Sequence, residues 1–165
     1  MTERTLQELR VATAVAHGRP EDFSPLYAIP EVQDAAKMPP SVVLHDVTLR
    51  DGEQTPGVVF DTERRLKIAR ALDALGVQRI EAGFPLISAD DREGVAAVAQ
   101  AGLRAEIWGF GRCLAGDVVA NAECGVKQMV LEISISDQKI AAYGLTRERV
   151  LGRVRESMTK AKEMG

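Results

Sequence analysis

Between His45 and Gly57 the sequence reads HDVTLRDGEQTPG, and it delivers Arg50, Asp51, Glu53 and Gln54 within five residues. Each side chain has a distinct chemical use. The Arg50 guanidinium is a rigid positive fork, suited to an oxyanion as it develops. Asp51 offers a hard oxygen donor for a divalent cation, and Gln54 can donate to a carbonyl or carboxylate oxygen. Gly52 and Gly57 permit a tight backbone and Pro56 stiffens it. Such a set could polarise a carbonyl and hold negative charge beside it. The plainer alternative is a surface ion pair, Arg50 with Asp51, in a loop that is polar because loops are.

Other chemistry-bearing types are sparse. The histidines are His17 and His45, and the cysteines are Cys113 and Cys124. His45, just ahead of Asp46, reads as a packed strand histidine rather than a ligand. The cysteines read as buried thiols rather than nucleophiles, and two are too few for a disulfide scaffold. Ser134 and Ser136 share one face of their strand and are held as possible substrate contacts.

These residues need elements to hold them. Val42–Leu49 (VVLHDVTL) reads as a buried strand. A helix over about 62–75 follows, capped by Asp61 or Thr62 and stopped by Gly76, with Ile68, Ala71, Leu72 and Leu75 on its apolar face. Residues 77–82 form a second strand, and Ser88 caps a helix to about Ala101. Residues 104–110 form a third strand, and 117–123 a short helix ended near Gly125. Residues 127–136 form a fourth strand. Thr146 caps a last helix whose apolar stripe is Val150, Leu151, Val154, Met158 and Ala161. Strands begin roughly 23 to 35 residues apart, the length of a βα unit. The fold class is therefore α/β, a parallel sheet of about four βα units. An open doubly wound sheet and half of an eightfold barrel both satisfy this pattern. A barrel needs roughly 250 residues, so the 165-residue chain would stop before a fifth strand. That favours a truncated chain, a split gene or a forced oligomer.

Ahead of this unit, residues 1–40 form a separate arm, irregular and punctuated by Pro20, Pro25, Pro30, Pro39 and Pro40, with a weak helix over 5–15. Composition sets outer bounds. With 45% hydrophobic and 27% charged residues and a net charge of −3, the chain reads as a globular domain with no nucleic-acid or membrane-surface field. No apolar run approaches the roughly 20 residues of a membrane span. The N-terminus lacks a secretory core, so a cytoplasmic location is expected.

Residues 44–60, LHDVTLRDGEQTPGVVF, resemble the first-strand signature of the metal-dependent barrel family of 2-isopropylmalate, homocitrate and citramalate synthases and 3-hydroxy-3-methylglutaryl-CoA lyase. IEAGFP at 80–85 is similar to a second element of that family, with weaker similarity at GFGRC (109–113) and at 124–137. The resemblance covers 41–165 and implies a partial TIM (β/α)8 barrel over those residues. Position by position, it implies that Asp51 binds metal and Arg50 stabilises an enolate-type intermediate. It also implies that Gln54 lies near a 2-oxo acid, that Glu81 is the acidic active-site residue of the second strand, and that Arg112 meets the substrate carboxylate. The plainer alternatives are a capped or ion-paired strand end for Glu81 and a structural cation for Arg112.

The implied reaction is a Claisen-type condensation of acetyl-CoA with a 2-oxo acid, assisted by a divalent cation (Mg, Mn or Zn). GEQTPG after the Arg-Asp pair looks more like the synthases than the lyase. Lyase chemistry at the same site, or an inactive half-barrel, are the alternatives. Family metal sites carry a His-x-His on a later strand, which His17 and His45 cannot supply. Homodimerisation or other self-association completes the expectation.

Overall fold

The structure is a computed structural model that describes residues 41–165. The expected arm over 1–40, with its helix and His17, lies outside the described residues. Val43–Gly165 forms one compact unit. Its elements run β1 (His45–Asp46), α1 (Thr62–Leu75), β2 (Arg79–Glu81), α2 (Ala89–Ala99), β3 (Glu106–Arg112), α3 (Ala115–Glu123), β4 (Gln128–Glu132), α4 (Asp137–Ala142) and α5 (Arg147–Glu163).

The four strands are parallel and lie in the order β1-β2-β3-β4. That order decides between the two architectures. A doubly wound sheet reverses direction at a switch point, whereas barrel units add each strand beside the last. The sheet is that of successive (β/α) barrel units.

The helix signals work as their chemistry predicts. Asp61, Ser88 and Thr146 accept hydrogen bonds from the amides of Arg64, Asp91 and Arg149, satisfying first-turn donors that the helix cannot. Gly76 closes α1 with φ 92°, a left-handed value suited to glycine. The core gathers under the helices, with Leu49, Ala69, Ile80, Val95 and Val98 fully buried.

Several expectations needed correction. β1 is two residues long rather than eight, because the Asp46 carboxylate takes the amide and hydroxyl of Thr48 (2.9 and 3.1 Å) and bends the chain out of the ladder. Val43 and Leu44, expected inside, are more than half exposed just ahead of β1. β3 runs two residues further than expected, to Arg112, and β4 ends at Glu132. Leu75, Leu151 and Met158 are exposed, while Arg65 and Ser157 are buried. The short α4 was not expected; Ser136, read as a substrate contact, caps it by accepting from the Lys139 amide.

Within β3, Gly109 and Gly111 face α3. A Cβ on Gly109 would overlap the Asn121 amide, and one on Gly111 would lie 2.9 Å from Asp117 Cβ. Asn121 Nδ2 donates to the Phe110 and Asp117 carbonyls (3.0 and 2.9 Å). By strand alternation Phe110 then faces away from α3.

Candidate functional site

After Asp46 the chain folds onto a single carbonyl. Val47 O accepts from the amides of Arg50, Asp51 and Gly52 (3.1, 2.8 and 3.3 Å). A 3-10 turn over Gly52–Gln54 follows, and Leu49, with no exposed surface, anchors the bend in the core. The loop thereby sets Arg50 and Asp51 at the C-terminal end of the sheet, where α/β sites form.

Arg50 is constrained on three sides. Its Nε donates to Glu81 Oε1, its Nη1 donates to Asp51 Oδ1 at 2.7 Å, and its Cζ lies 4.3 Å from the centroid of the Phe110 ring. Among the described residues Nη2 keeps no partner. Glu81 is 1% exposed, and its second oxygen, Oε2, meets His45 Nε2 at 3.1 Å. The carboxylate is thus shared between two residues of the first strand region. His45 also packs edge-on against Trp108, ring centroids 5.3 Å apart.

Phe110 continues a chain of stacked groups. Phe84 meets it at 5.5 Å in a T-shaped pair, and the Arg112 guanidinium lies 5.3 Å from the Phe84 centroid. Each contact is individually worth about 0.5–1.5 kcal/mol. Together they hold a rigid aromatic wall between two cations. That wall borders a cavity of about 530 Å³, which Arg50, Gln54, Val58, Phe60, Phe84 and Phe110 help to line.

Of the residues singled out from sequence, Arg50, Asp51 and Glu81 are in direct contact, and Gln54 shares the cavity with Arg50. Arg112 is not brought there. It lines a separate cavity with Ser134 and Glu132. Its Nε and Nη2 are taken by Asp117 at 3.0 and 3.2 Å, a pairing that raises its pKa further. Burial pushes the thiols of Cys113 and Cys124 up, which keeps them protonated at neutral pH and unsuited to attack.

For a divalent cation the donor set fits in part. Asp51 is an exposed carboxylate at the rim, with Oδ1 engaged by Arg50 and Oδ2 without a partner among the described residues. No three His, Cys, Asp or Glu side chains gather into a metal-binding group among the described residues. Asp51 by itself could supply one oxygen ligand to a divalent cation.

Sequence reasoning missed Arg65. Its guanidinium is buried between the strand mouths and bonds Leu49 O, Ala82 O, Glu53 and Asp91. The available signal was a pair of glycines, Gly83 and Gly94, for which no turn or cap accounted. A Cβ on either would lie within 3.0 Å of Arg65.

A family model described as HMGL-like matches residues 41–165. Homocitrate synthase AksA of Methanopyrus kandleri is 43% identical over 140 residues, covering 82% of this chain and 35% of that protein. 2-Isopropylmalate synthase 2 of Caldanaerobacter subterraneus subsp. tengcongensis is 40% identical over 132 residues, covering 79% and 34%. The chain spans about a third of the length of these curated relatives.

Proposed function

The chain belongs to the HMGL-like family, and from that premise we propose that it carries part of the active site of an acyltransferase condensing acetyl-CoA with a 2-oxo acid. The relatives named homocitrate synthase and 2-isopropylmalate synthase support this reading. In the reaction the acetyl methyl loses a proton and forms a carbon–carbon bond to the keto carbon. Water then cleaves the thioester and releases the CoA thiol.

One observation carries the assignment: the Arg50 guanidinium is fixed by Glu81, Asp51 and Phe110, lines the cavity, and among the described residues keeps Nη2 without a partner. Such a donor needs no reorganisation when negative charge appears on the thioester or keto oxygen. Glu81 acts through Arg50, setting its orientation. Gln54 shares the cavity and would hold the 2-oxo acid. Arg112 lines a separate cavity but stacks on Phe84, which also lines the Arg50 cavity; from there it would meet the substrate carboxylate with Nη1, which Asp117 leaves unused. A divalent cation held in part by Asp51 would supply Lewis acidity to the keto carbonyl. Residues 41–165 then form part of a catalytic barrel. Exposed Val43, Leu44 and Ile135 support self-association, and two free, buried cysteines support a cytoplasmic location.

The test is thiol release from acetyl-CoA by the intact protein, with and without a panel of 2-oxo acids. Release should require the oxo acid and a divalent cation. Asp51→Ala should abolish it, and Arg50→Lys should lower kcat about 10²–10³-fold. Turnover unchanged in Asp51→Ala would end the assignment.

A further inference from the structure

We infer that Arg65, on α1 and behind the residues that line the Arg50 cavity, is a positioning residue that locks the two strand mouths carrying Arg50 and Glu81 into one geometry. The inference rests on the reading of the site given above, because the group positioned is the Arg50 donor.

The Arg65 side chain is 2% exposed and spends four of its five N–H donors on four acceptors in three segments. Nη1 donates to Leu49 O at 2.8 Å and to Ala82 O at 3.0 Å. Leu49 immediately precedes Arg50, and Ala82 immediately follows Glu81. Nη2 donates to Glu53 Oε2 at 2.8 Å and to Asp91 Oδ1 at 3.2 Å. Glu53 lies between Asp51 and Gln54, and its other oxygen accepts from the Phe60 amide at 2.8 Å. One guanidinium therefore ties the loop after β1, the end of β2 and the first turn of α2 together.

Charge compensation alone does not account for this arrangement. Glu53 and Asp91 would neutralise any cation, yet the two carbonyls bonded by Nη1 are those that flank the Arg50–Glu81 contact. Reaching both carbonyls and both carboxylates requires a planar fork, which lysine lacks. The surroundings are shaped for that fork. A Cβ on Gly94 would lie 2.7 Å from Arg65 Nε and 2.9 Å from Cδ, and one on Gly83 2.9 Å from Nη1. Alanine is ordinarily preferred to glycine inside a helix, so the glycine within α2 runs against propensity and makes room for Arg65.

The intact protein with Arg65→Lys, and separately with Gly94→Ala, tests this. Two readouts are needed: kcat and KM for oxo-acid-dependent thiol release, and amide hydrogen exchange at Arg50, Asp51, Gly52 and Gly83. Both variants should lose about 10- to 100-fold in kcat, the scale of a displaced reacting geometry, with KM little changed and with those amides exchanging faster. Gly94→Ala keeps the arginine and its charge, so its failure cannot be charge loss. A lowered melting temperature with kcat and the four amides unchanged would make Arg65 merely structural and overturn the inference. If the parent protein releases no thiol with any 2-oxo acid, the proposed function fails. The exchange data then decide the role of Arg65 alone: faster exchange sustains it and unchanged exchange refutes it.

Discussion

At the mouth of β1 and β2 a buried carboxylate divides its two oxygens between different residues, whereas at the end of β3 a buried carboxylate gives both to one. Glu81 serves Arg50 and His45. Asp117 takes the side chain and the backbone amide of Arg112 together, at 2.8–3.2 Å. The cations differ in setting as well: the Arg50 side chain is 19% exposed and that of Arg112 55%. A divided carboxylate fixes direction and leaves a donor for a ligand, in surroundings where low dielectric strengthens its field. An undivided one mainly fastens the end of β3 to α3. Similar pairs on one sheet therefore do different work, and the first is the stronger candidate for chemistry.

Glu81→Gln should give the largest effect. It leaves a mostly desolvated guanidinium facing a neutral amide, a broken pair of the kind that costs about 3–5 kcal/mol. Urea melts against the parent protein measure it. A loss below about 1 kcal/mol, the scale of an exposed pair, would mean that the two mouths are held alike.

Asp117→Asn should cost less, about 1–3 kcal/mol, because Arg112 can turn to water while the Arg112 amide keeps an oxygen acceptor. The same melts decide it; a loss equal to that of Glu81→Gln would remove the contrast.

The smallest effect sharpens the comparison from a region away from both mouths. The Ala105 amide, with help from Arg104, holds the Asp73 carboxyl below the usual aspartate range. The unfolded chain therefore binds this proton more readily than the folded one. The stability contribution is fully present above about pH 4 and is lost as pH falls through the lowered folded value. Asp73→Asn should flatten that part of the acid limb in stability-against-pH curves and leave turnover unaltered. An unaltered acid limb would remove Asp73 from the account.

Legibility in the sequence followed the range of the interactions. Asp61, Ser88, Thr146 and Gly76 act within one helical turn, so their roles were readable from adjacent residues. The Arg50–Asp51 pair was readable because its members are neighbours. β1 was overestimated because VVLHDVTL has a strand's composition, while one carboxylate, Asp46, ends the ladder through Thr48. Arg65 was missed because a charged residue in a helix usually belongs to the solvated face. Its four acceptors come from positions 49, 53, 82 and 91, which no local pattern joins. The strand order, by contrast, needed the structure, since βα spacing is common to barrels and open sheets.

The fit of Asn121 into the gap left by Gly109 has a mechanical consequence. Pin and slot fix how far α3 can slide along β3, and the next residue on the strand is Phe110, the ring beneath Arg50. A helix on the outer surface thus sets the height of the shelf on which the charged group rests. Filling the slot with a methyl group would be felt on the far side of the sheet, as a tilt of that shelf.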